Sequence, residues 1–70
     1  MNELEVIALV EAIPAKNLRR GQVGTIVERL APGMVEVEFA DLDGKIYALC
    51  AVPENNLLVL HHTQTTRLQG

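Results

Sequence analysis

The stretch Ala31-Pro32-Gly33-Met34-Val35-Glu36-Val37-Glu38-Phe39-Ala40-Asp41-Leu42-Asp43-Gly44 decides how this chain folds. From Met34 to Phe39 apolar residues alternate with acidic ones, apart from Met34 itself. Successive side chains of an extended strand point to opposite faces, so Val35, Val37 and Phe39 share one face while Met34, Glu36 and Glu38 share the other. That is a half-buried strand. Its ends carry turn chemistry: Gly33 supplies a positive φ that other residues resist, and in Asp41-Leu42-Asp43-Gly44 the Asp side chains can accept bonds from nearby backbone N–H groups while Gly44 takes the left-handed position. The strand is therefore the middle member of a three-stranded meander.

Working outward, Pro14, Gly21, Gly24, Pro53 and Asn55-Asn56 divide the remaining chain into short Val- and Ile-rich pieces, too short for helices. Five strands are expected, at about Leu4–Val10, Val23–Leu30, Met34–Ala40, Lys45–Val52 and Leu57–Leu60, with one turn of 3₁₀ helix over Pro53-Glu54-Asn55-Asn56. The fold class is all-β, a small five-stranded SH3-like barrel. Residues 1–61 form the domain, and 62–70 form a polar tail without periodicity, expected to be flexible. The loop Pro14 to Gly21 is expected to be exposed and partly ordered, with Leu18 tucked underneath. Gly24 reads as a bend at the entry to the second strand.

Composition bounds what such a domain can do. Of 70 residues 49% are hydrophobic, which supports a packed core, but Phe39 and Tyr47 are the only aromatics. The net charge of −3 opposes the phosphate neutralisation that drives nucleic-acid binding, so nucleic acid is a disfavoured partner. The apolar run Val6 to Val10 is too short for a signal or membrane helix, and a cytoplasmic protein with no membrane partner is expected. Cys50 stands alone in an apolar stretch, without a partner for a disulfide or metal pair, and reads as a buried structural thiol.

The chemical constellations are weak. Glu36, Glu38, Asp41 and Asp43 are explained by a solvated strand face and a turn, and Asp41-x-Asp43-Gly44 lacks the further ligands of a calcium loop. The adjacent side chains of His61 and His62 diverge at a strand end and have no Cys or further His to complete a metal site. Ser is absent, and no motif places a base beside Thr25 or Thr63, Thr65 and Thr66. No catalytic residue, cofactor or metal is assigned. The best candidate surface is basic: Lys16, Arg19 and Arg20 are three of the six cations, gathered in one exposed loop.

A wider pattern joins these segments. Ile7-Ala8-Leu9-Val10-Glu11-Ala12-Ile13-Pro14, then Leu18-Arg19-Arg20-Gly21-Gln22-Val23-Gly24-Thr25-Ile26-Val27-Glu28, then Val35-Glu36-Val37-Glu38-Phe39 with Asp41 and Gly44, and Tyr47-Ala48-Leu49, resemble a family of short bacterial proteins, the domain-of-unknown-function family 4926. The resemblance spans about residues 4 to 60. It implies a compact SH3-like barrel and carries over no catalytic or ligand residue. Gly21-Gln22-Val23-Gly24-Thr25-Ile26-Val27 also looks like the entry strand of RNA-binding SH3-like domains, but those add basic or aromatic loops that this acidic chain supplies poorly.

The functional expectation is a non-enzymatic protein-interaction module, such as the small antitoxin- or immunity-like partner of a neighbouring gene product. The alternative is an RNA-binding accessory protein of the SH3-like type. A Pro-rich-peptide groove would need more aromatics than Tyr47 alone. Apolar residues also exceed what one barrel interior holds. If Ile46, Ala48, Cys50 and Val52 line it, Tyr47, Leu49 and Ala51 point out beside Leu58 and Leu60. A homodimer, or a hetero-complex on the same patch, is expected with Tyr47 and Leu49 near its centre. The competing expectation is a monomer whose Leu18 loop and Pro53 connector cover that face.

Overall fold

A computed structural model describes residues 1–61. The tail expected to be flexible, His62 included, lies outside the described residues. Five strands form one antiparallel sheet: β1 (Val6–Leu9), β2 (Val23–Ala31), β3 (Met34–Ala40), β4 (Ile46–Pro53) and β5 (Leu57–Val59). Their order is β4-β3-β2-β1-β5. Two 3₁₀ turns interrupt the strands, η1 (Pro14–Lys16) and η2 (Glu54–Asn56), the second where the sequence puts it. Among the described residues no helix is long and apolar enough to cross a membrane.

The all-β, five-stranded architecture is as expected, but the hydrogen-bonded sheet does not close into a barrel. Its edges β4 and β5 are not paired with each other. They are nevertheless held close by covalent connection. In a flat sheet four strand spacings would separate them by at least about 19 Å, whereas the four Cα steps from Pro53 to Leu57 reach no more than about 14 Å even fully extended. The sheet must therefore curl until the end of β4 meets the start of β5.

Curling encloses one face. Ile7 and Leu9 of β1, Ile26 of β2, Val35, Val37 and Phe39 of β3, Cys50 and Val52 of β4 and Leu57 of β5 form a single buried cluster, joined by Leu18 from the β1–β2 loop. The alternation in Met34 to Phe39 is realised as read: Val35, Val37 and Phe39 are fully buried, while Met34, Glu36 and Glu38 are half-buried on the opposite face. Leu18 is tucked under, as expected. Because it enters the core, it does not cover the outer face, where Leu49 and Leu58 stay more than half exposed.

Two readings of β2 and β4 need correction. Gly24 is not a bend at the strand entry; it lies within β2, paired with Ile7 and buried. A Cβ there would meet Phe39 Cδ1 and Val37 Cγ1 at 2.8 Å and the Glu38 carbonyl oxygen at 2.9 Å. The position is glycine because the Phe39 ring and the β3 backbone occupy the volume a side chain would need. Ile46 does not line the interior. The β3–β4 register steps from Phe39↔Ala48 to Ala40↔Ile46, leaving Tyr47 as the extra residue of a β-bulge. One extra residue reverses the in–out parity beyond it, so Ile46 pairs with the exposed Ala40 and is 53% exposed.

The turns conform to their chemistry. Asp41 Oδ1 accepts from the Asp43 and Lys45 N–H groups, both at 2.9 Å, and Gly44 has φ +82°. Asp41 is thereby a turn residue. The Gly24 contact yields a first prediction. Gly24→Ala should destabilise the fold by about 1–3 kcal/mol, the range typical of overpacking a filled core. Urea unfolding monitored by circular dichroism measures it; an unchanged midpoint would show that the Phe39 ring is not seated there.

Candidate functional site

The basic loop begins where β1 ends. Pro14 presets the φ of η1, and Asn17 then takes the left-handed conformation, φ 59° and ψ 34°, which Asn tolerates better than most residues. That reversal lets Ile13 and Leu18 face each other: the Ile13 N–H donates to the Leu18 carbonyl at 2.9 Å, and the Leu18 N–H returns a bond to the Ile13 carbonyl at 3.1 Å. Leu18 then drops into the core. Arg19 and Arg20 follow it directly, exposed. The Gly21 N–H closes the loop onto the Leu9 carbonyl at 2.8 Å.

The loop is better ordered than its sequence indicates, because two side chains from outside its turns hold it. Asn56 of η2 accepts from the Glu11 N–H through Oδ1 at 2.8 Å and donates from Nδ2 to the Glu11 carbonyl at 3.2 Å. Its own carbonyl accepts from the Val10 N–H at 3.0 Å. At the other flank, Gln22 Oε1 accepts from the Arg19 N–H, and Gln22 Nε2 donates to the Tyr47 hydroxyl oxygen at 2.8 Å.

Gln22 thus joins two candidate regions that are far apart in sequence. The bulge in β4 is where Tyr47 sits, its ring centroid 6.5 Å from that of Phe39 at an interplanar angle of 37°. Arg19 and Tyr47 are therefore linked through one side chain, with the Arg20 side chain next along the loop. Leu49 stands apart from that link: it lies opposite Glu38 on the outer face of the sheet and is 52% exposed. Of the expected group, the structure connects Arg19 to Tyr47 and leaves Leu49 on the neighbouring apolar surface.

Among the described residues none of Lys16, Arg19 and Arg20 pairs with a carboxylate. Beside them is a shallow depression of about 420 Å³ lined by Ala12, Pro14, Asn17, Leu18 and Arg19. It combines small apolar surface with one guanidinium, a setting suited to a short acidic or polar segment. The acidic residues are elsewhere. Glu28 and Glu36 face each other across β2 and β3, and Glu38 pairs with Thr25. Among the described residues no three His, Cys, Asp or Glu side chains come together in a way that could hold a metal ion.

With this geometry in hand, one comparison decides the family. The model of the family described as Domain of unknown function (DUF4926) matches residues 3–59. The chain belongs to that family. The DUF4926 match runs from just before β1 to the last residue of β5, so it includes the basic loop, the bulge at Tyr47 and the Asn56 clamp. No curated protein and no solved structure matches the chain.

Sequence reasoning missed Gln22 and Asn56. Asn56 showed a turn signal, but its clamp reaches Glu11, 45 residues away, and the Gln22–Tyr47 bond spans 25 residues; no local pattern encodes either. Asn56→Ala should cost about 1 kcal/mol, a typical net value for lost hydrogen bonds, and should speed exchange of the Glu11 amide while leaving that of Val37 slow. Hydrogen exchange followed by nuclear magnetic resonance checks both amides. Equal rates in variant and wild type would contradict the clamp.

Cys50 is buried in this DUF4926 core. Burial pushes its thiol pKa above the ordinary value; the Lys16 ammonium works against that rise and the Glu36 carboxylate adds to it. The folded state then keeps the thiol proton to higher pH than the unfolded state does. Stability should accordingly fall as pH rises past the ordinary thiol value. Denaturation midpoints between pH 7 and about 10, a span that brackets an ordinary thiol, should decline more steeply for the wild type than for Cys50→Ala. Parallel declines would contradict the assignment.

Proposed function

We propose that this chain is a non-enzymatic protein-interaction module whose recognition surface is the ordered basic loop with Tyr47. The observation that carries the reading is Gln22, which bonds the Arg19 backbone and the Tyr47 hydroxyl together. Recognition surfaces gain when charged and aromatic anchors are fixed before the partner arrives, because less side-chain and loop freedom is lost on binding. Lys16, Arg19 and Arg20 project from a loop held by Leu18, Asn56 and Gln22, and Leu49 extends the apolar surface nearby.

The partner that fits is a protein segment carrying carboxylates, met by the Arg forks and by the half-polar depression beside Arg19. A small partner of a neighbouring gene product, antitoxin- or immunity-like, is the biological form of this reading, in bacterial cytoplasm where the single thiol stays reduced. Self-association through the apolar surface around Leu49 belongs to the same reading.

An RNA-binding accessory role is the second reading, favoured by three cations that pair with no carboxylate among the described residues and precede Gly24-Thr25-Ile26-Val27 in the sequence. The net charge of −3 and the Glu28, Glu36 and Glu38 face weigh against it. Phosphate contacts would make affinity fall steeply with salt, so binding to mixed RNA at low salt separates the two readings.

The direct test is co-purification from the native cell followed by mass spectrometry, comparing the wild type with an Arg19→Ala/Arg20→Ala double variant. Both arginines are exposed and the variant should fold normally. Partner recovery should fall by roughly tenfold or more, the loss expected when charge-assisted contacts are removed. Unchanged recovery would overturn the basic loop as the recognition surface.

A further inference from the structure

Among the described residues β4 is an edge of the sheet, paired with β3 alone. An edge strand presents a row of unpaired N–H and C=O groups, and proteins commonly blunt such edges with charges, Pro, bulges or brevity. The opposite edge, β5, has three residues. β4 has eight, Ile-Tyr-Ala-Leu-Cys-Ala-Val-Pro, with no charge among them. Its blunting devices sit at the ends, the bulge at Tyr47 and the ring of Pro53, and among the described residues no further strand pairs with the segment between them.

The free groups can be identified. The Glu54 N–H donates to the Gly33 carbonyl at 2.9 Å, in the same register that pairs Met34 with Pro53. In an antiparallel ladder hydrogen-bonded and non-hydrogen-bonded pairs alternate. Val52 and Cys50 therefore exchange bonds with Val35 and Val37, while Leu49 and Ala51 direct their N–H and C=O groups away from β3. Among the described residues no loop backbone bonds to Leu49 or Ala51.

We propose that β4 pairs antiparallel with β4 of a second copy of this chain, joining two five-stranded sheets edge to edge. This deepens the interaction-module reading by naming a second copy as one occupant, at a surface other than the Arg19–Arg20 loop. Charge selects both occupant and direction. Lys45 immediately precedes β4 and Glu54 immediately follows it. A two-fold axis at Cys50 sets Leu49 of each strand opposite Ala51 of the other and brings the Lys45 end of one strand beside the Glu54 end of its partner. Parallel pairing would instead align like charges. Between those ends two uncharged strands meet, and Leu49 and Ala51, both exposed, become cross-strand neighbours on the outer face. Within the chain the Glu54 carboxylate lies 3.6 Å from the Met1 ammonium, which holds it at that end of β4.

Sedimentation equilibrium of the full chain tests this. At about 100 μM, where a micromolar dimer is well populated, the wild type should sediment at twice the chain mass of 7.7 kDa. Ala51→Pro removes an N–H that faces away from β3 and leaves the β3 ladder intact, and Leu49→Lys puts a charge on the edge. Each should weaken association by roughly tenfold or more with circular dichroism unchanged; should the proline variant unfold, the lysine variant alone decides. Arg19→Ala/Arg20→Ala should leave the dimer mass as it is, so loss of partner capture and loss of dimer are separable failures. A monomeric wild type, or a dimer that survives Leu49→Lys, or one dissolved by the arginine variant, would overturn the proposal.

Discussion

The contact between Gly24 and the Phe39 ring is the constraint on which the rest of the structure depends. In a small chain with two aromatic residues, Phe39 is the largest fully buried side chain. Its ring needs a place in a narrow, curled sheet, and the backbone of β2 supplies one only where there is no Cβ. Seating the ring against β2 draws β3 and β2 together at the end of the sheet where β1 also pairs, through Ile7 and Gly24. The enclosed cluster from Ile7 to Leu57 is built around that seat.

The same contact reaches the candidate site. Phe39 is the β3 residue at which the β4 register steps, and the residue left over there is Tyr47. Bulges re-aim side chains at strand ends. Here the re-aimed ring comes to rest beside Phe39, with its hydroxyl in reach of Gln22. Gln22 in turn fixes the backbone of Arg19. A chain of contacts from a core glycine thus ends at an exposed arginine, and the order of the basic loop follows from core packing as well as from its own turn residues.

What the sequence disclosed and what it hid divide along physical lines. Alternation in Met34 to Phe39, the Asp41-Gly44 turn and the burial of Leu18 are local matters of period, turn chemistry and hydrophobicity, and each is found as read. The exposure of Ile46 was hidden because a bulge is decided by what lies across the ladder, not along the strand. The open gap between β4 and β5 was hidden because an element count does not say which edges pair. At the site, Lys16, Arg19 and Arg20 were legible as a charge cluster. That Tyr47 joins the cluster through Gln22, whereas Leu49 remains on the sheet face, depends on a bond between distant residues and on bulge geometry.

The measurement that bears most directly on this account is a double-mutant cycle between Gly24→Ala and Phe39→Leu, with each stability taken from denaturant unfolding. If the ring and the glycine share one volume, shortening the ring makes room for the new methyl group. The added cost of Gly24→Ala in the Phe39→Leu background should then be smaller than in the wild type, with a coupling of about 1 kcal/mol, within the range for residues in contact. Additive costs would contradict the claim that the Gly24–Phe39 contact organises the fold.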